Sequence, residues 1–79
     1  MVCIATFYSH YGAMAFKRAC DRLGVPARLM PVPRDLSSSC GTCVRYEGDC
    51  PLPGWPEEAE QAVEVTGSGY RLLWRAADS

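Results

Sequence analysis

Long hydrophobic runs are missing from this 79-residue chain: no uninterrupted apolar segment approaches the roughly 20 residues that span a bilayer. Charge of one sign is missing too. Eight basic against nine acidic side chains leave a net charge of −1, so there is no basic footprint for nucleic acid and no polybasic patch for a membrane surface. The opening "MVCIATFYSHYG" has neither the charged leader nor the apolar core of a signal peptide, and the expected location is the cytoplasm, where thiols stay reduced. Repeats and low-complexity tracts are absent, and histidine occurs once. Five cysteines is an odd number, which argues against a closed disulfide framework and leaves each thiol to be explained separately.

What is there is ordinary globular composition, with 48% apolar residues, enough for one domain over 1–79 built on a single modest core. "VCIATFY", residues 2–8, is apolar on both parities, as a covered central strand should be. Ser9 is an N-cap for a helix that ends at Gly24, with Ala13, Phe16, Cys20 and Leu23 as its buried stripe. "ARLMPV" reads as a second strand. Pro31 cannot donate to a ladder and therefore places that strand at a sheet edge. Residues 33–41 supply turn chemistry without periodicity, and "TCVRY" alternates again, with Val44 and Tyr46 opposite Cys43 and Arg45.

After a Pro/Gly-rich connection over 47–56, Pro56-Glu57-Glu58 suits a first helical turn. The spacing of Ala59, Ala62 and Val63 predicts a second helix over 56–65, with a last strand over 70–75. The resulting order β-α-β-β-α-β predicts an α+β, ferredoxin-like two-layer sandwich, a four-stranded antiparallel sheet with two helices on one face. Its two edge strands leave pairing into a homodimer open, with no residue that specifies it.

Among the cysteines, Cys3 and Cys20 fall at core positions and Cys50 in a loop without an evident activator. Cys40 differs. It ends the stretch "PVPRDLSSSC", precedes Gly41, and lies between Arg34 and Arg45. Backbone N–H groups of a tight turn, the hydroxyls of Ser37, Ser38 and Ser39, and a nearby guanidinium would each stabilise a thiolate. A plain loop cysteine beside a turn glycine is the bland alternative. The spacing Cys40-x-x-Cys43 admits a nucleophile with an optional resolving thiol, a redox pair, or part of a zinc site with Cys50 and His10. A second C-x-x-C is missing, which weakens the zinc reading. His10 would stand at the carboxyl end of the first strand, an end that the loop carrying Cys40 can also reach.

Residues Ser9, His10, Ala13, Lys17, Pro31, Pro33, Arg34, Ser37, Ser38, Ser39, Cys40, Gly41 and Arg45 form a pattern that resembles the selenium/sulfur carrier protein-like family, over about residues 2–46. The resemblance implies a carrier more than an enzyme. It would hold sulfur or selenium on Cys40 as a persulfide or selenosulfide, with no resident cofactor. The implied partners are a donor of the cysteine desulfurase kind and an acceptor protein. Arg34, Arg45, Gly41 and the serine turn would favour the anion, and His10 would assist proton transfer. Two departures stand out: the helix start is Ser-His where relatives have Ser-Thr-His, and Cys43 replaces a small apolar residue. A thiol–disulfide module using Cys40 and Cys43, and a small zinc-bearing interaction domain, are the competing readings.

Overall fold

The computed structural model describes residues 1–49 and 55–76. At its centre runs β1 (Val2–Phe7), with Cys3, Ala5 and Phe7 buried in one apolar layer and Ile4 in another. A strand covered on both faces has no parity to leave polar, which is why "VCIATF" does not alternate. Ser9 then caps α1 (His10–Leu23), its hydroxyl accepting from the Gly12 N–H at 3.1 Å. Gly24, at φ +74°, closes the helix. Its N–H reaches Asp21 O at 3.3 Å and the Val25 N–H reaches Cys20 O at 2.9 Å, the paired bonds of a Schellman ending. Ala13, Phe16 and Cys20 bury as their spacing predicts, joined by Ala19. Leu23, expected on the same stripe, is 48% exposed, because it lies in the last turn where the chain leaves for the sheet edge.

β2 (Ala27–Pro31) forms that edge and pairs only with β3 (Thr42–Glu47), which in turn flanks β1. Pro31, lacking an N–H, sits where no ladder bond is needed. Val44 and Tyr46 face the helix, while Cys43 joins Ile4 on the opposite layer.

The ferredoxin-like expectation is overturned in the C-terminal third. Residues predicted as a second helix form β4 (Ala59–Thr66), followed by β5 (Gly69–Arg75). The sheet has five strands in the order β2-β3-β1-β4-β5, all neighbours antiparallel, and α1 is the one helix among the described residues. A β-bulge accounts for the error. Thr6 pairs with Gln61 and Phe7 with Ala59, so Glu60 is the extra residue. The bulge resets the parity, and Ala59 and Ala62, three apart, both point at the helix layer while Val63 points away. Spacing of three and four residues, the signature of a helix, is produced here by an irregular strand. Pro56 ends in a turn, with Ala59 N–H on Pro56 O at 3.1 Å, not in a first helical turn.

Phe16 gathers the aromatic part of the main core. Its ring lies 5.5 Å from Phe7, 5.1 Å from Tyr46 and 5.0 Å from Trp55, and Trp55 continues to Trp74 at 5.4 Å. Among the described residues, no helix covers the far face of the sheet. Ile4, Cys43 and Val63 are buried there under a smaller layer that includes Val32 and Leu36 from the loop joining β2 to β3.

Candidate functional site

The loop between β2 and β3 carries the site, and it is pinned along its length. Val32 N–H to Gly41 O at 3.2 Å closes its neck, and Leu36 N–H to Pro33 O at 3.0 Å makes a turn around Arg34 and Asp35. Gln61 Nε2 donates to Ser37 O at 3.0 Å, and Ser38 Oγ donates to Phe7 O at 3.5 Å. Ser39 gives both its N–H (3.2 Å) and its hydroxyl (2.7 Å) to the Glu60 carboxylate. Glu60 also accepts from the buried Thr6 hydroxyl at 3.2 Å. The bulge that misaligns β4 therefore supplies the carboxylate that holds the loop. The hydroxyl protons of Ser38 and Ser39 go to this anchoring.

Cys40 follows directly. It is partly exposed, its N–H donates to Ser38 Oγ at 3.3 Å, and its Sγ lies 3.4 Å from Thr42 O. His10 opens α1, and its Nδ1 lies 3.0 Å from Thr42 Oγ1. Thr42 is thus the bridge between the histidine and the cysteine loop, which lies beside the positive end of α1. Arg34 is exposed in its turn, and Arg45 is half-buried in β3 opposite Ile4 and Arg28. No described hydrogen bond or ion pair links either guanidinium to Cys40. Gly41 is exposed, and a β-carbon added there would meet open space.

The other described thiols are unlike Cys40. Cys3, Cys20 and Cys43 are buried, and none of the four is in a disulfide. Burial pushes the Cys20 thiol up from 9.0 to about 11, with the Asp21 carboxylate adding to the rise and Lys17 opposing it. Burial likewise pushes Cys43 up to about 11, with the neighbouring Cys40 contributing to the rise. Cys43 Sγ lies 3.7 Å from Pro31 O. Cys50 is outside the described residues. Among the described residues no three of His, Cys, Asp and Glu converge to hold a metal ion, and no helix is long and apolar enough to cross a membrane.

Sequence reasoning missed Thr42, Glu58 and Glu60. The two glutamates were hidden inside the predicted helix, although Thr66-Gly67-Ser68-Gly69 between apolar runs is a hairpin signal. Glu58 accepts the Ser9 hydroxyl at 2.6 Å and packs so closely on Gly12 that a β-carbon there would overlap Glu58 Cβ. Gly12→Ala should therefore lower stability by about 1–3 kcal/mol. The urea midpoint reads this, and an unchanged midpoint would mean that the Glu58 backbone yields freely.

The fold and site together define a small α+β protein with one accessible thiol, among its described cysteines, on a pinned loop beside a helix start. The chain belongs to the family described as "Putative Se/S carrier protein-like", whose family model matches residues 2–51. No curated protein and no solved structure matches it.

Proposed function

We propose that this chain carries a sulfur or selenium atom on Cys40 and passes it to an acceptor. The observation that supports this reading most is the contrast among the described cysteines: three lie in the core, and Cys40 lies in the loop. In loading, the Cys40 thiolate attacks the outer sulfur of a donor cysteine persulfide. A bond forms to that sulfur, the donor S–S bond breaks, and the donor leaves as a thiolate. In release, the acceptor nucleophile attacks the outer chalcogen and Cys40 leaves as a thiolate. An imidazole is suited to take up and return the thiol proton, and His10 is held at this end of the sheet by Thr42. The open side at Gly41 leaves room for an incoming residue.

The competing release route has Cys43 attack Cys40 Sγ, forming a disulfide and expelling hydrosulfide. That step needs a Cys43 thiolate, and burial holds Cys43 protonated to about pH 11. Cys40 accordingly acts alone in this reading. Incubation with a cysteine desulfurase and cysteine, or with selenide and an oxidised thiol donor, should add one chalcogen atom to the intact mass, located on Cys40 by peptide mapping. Cys43→Ala should leave the lifetime of the adduct unchanged. A longer-lived adduct in that variant would establish disulfide-coupled release, and no adduct on Cys40 would end the carrier reading.

A further inference from the structure

Behind the Cys40 loop lies an open cleft of about 730 Å³. It is lined by Tyr8, Asp35, Leu36, Glu60, Gln61 and Arg75, among others. The volume is in the range of small-molecule sites, and the lining is mixed in charge instead of apolar throughout. Ala76 N–H donates to Glu60 O at 3.0 Å, which fixes the end of β5, and with it Arg75, against β4. Neither Asp35 nor Arg75 is in an ion pair with a described residue. The Glu60 carboxylate, by contrast, already has three donors from Thr6 and Ser39.

We infer that this cleft binds the head group of a zwitterionic α-amino acid, its carboxylate on Arg75 and its ammonium on Asp35. The charge pattern selects this class. A ligand that is only anionic meets two carboxylates beside the single guanidinium, and one that is only cationic meets Arg75. A molecule with both charges satisfies Asp35 and Arg75, neither of which has an ion-pair partner among the described residues, and a planar guanidinium matches a carboxylate with two parallel hydrogen bonds. The Tyr8 ring and Leu36 offer apolar surface to the side chain, and the volume leaves space for one of several atoms. The site requires nothing of Cys40, so it stands or falls separately from chalcogen carriage.

The test is an amide NMR titration of the full chain with S-methyl-L-cysteine, which has no free thiol to exchange. Saturable shifts are expected at Asp35, Leu36, Gln61 and Arg75, with a Kd on the order of 1 mM or tighter. Arg75→Ala and Asp35→Asn should each weaken binding about tenfold or more, as should N-acetylation or loss of the carboxylate from the probe. Both variants change exposed side chains, and their spectra report whether the fold is kept. Cys40→Ser should bind as the parent does. Absence of saturable shifts overturns the inference. So does equal binding of the N-acetylated or decarboxylated probe, or indifference to both variants.

Discussion

Iodoacetamide at pH 7 should label Cys40 at least about 100-fold faster than Cys3, Cys20 or Cys43. The reacting species is the thiolate, and a thiol held at about 11 is ionised to roughly one part in 10⁴ at that pH. Cys20 and Cys43 are therefore doubly protected, by proton affinity and by complete burial, and Cys3 is completely buried as well. Labelling at these three requires local or global opening of the sheet, whereas Cys40 is already partly exposed in the folded state. Timed alkylation followed by peptide mapping measures the order and resolves Cys50 separately. Comparable rates at Cys40 and Cys43 would remove the structural basis for assigning chemistry to the loop.

Phe16→Ala should cost about 3–5 kcal/mol, the range for deleting a fully buried aromatic ring. Phe16 is 1% exposed and touches Phe7, Tyr46 and Trp55, so no single neighbour can fill the space it leaves. A chain of this length has about 4–12 kcal/mol of stability in total, and the substitution removes a large share of it. Leu23→Ala, on the same helix and half-exposed, should change stability by only about 0.5 kcal/mol. Urea unfolding of the two variants provides the comparison. A Phe16→Ala loss below about 1 kcal/mol would mean that the aromatic layer collapses around the gap.

The first two thirds of the fold were legible because local signals and tertiary packing agree there. The Ser9 cap, the Gly24 ending, the two-sided burial of β1 and the edge position of β2 each follow from residue chemistry that the neighbouring elements leave intact. The segment over 59–66 was misread for a physical reason. Ala, Glu and Gln favour helix intrinsically, and the bulge at Glu60 gave the strand a helical burial spacing. Pairing with both β1 and β5 outweighed that preference. At the candidate site, Cys40 and His10 were singled out from residue type and position. Their link through Thr42 depends on where the third strand begins relative to the helix start, which no local pattern encodes. Glu60 was invisible for the same reason as its strand.

The anchoring of the Cys40 loop has a mechanical consequence. Carriers that deliver cargo on a swinging arm need a tether that can sweep between stations. Here the tether is staked at its neck, at Ser37, at Ser38 and twice at Ser39, and its Val32 and Leu36 roof a hydrophobic layer. Lifting it would break those bonds and wet Ile4 and Val63. The thiol is a fixed post, so under the proposed carrier reading the reach would have to come from the other side, with a donor or acceptor presenting its reacting group on a mobile segment of its own.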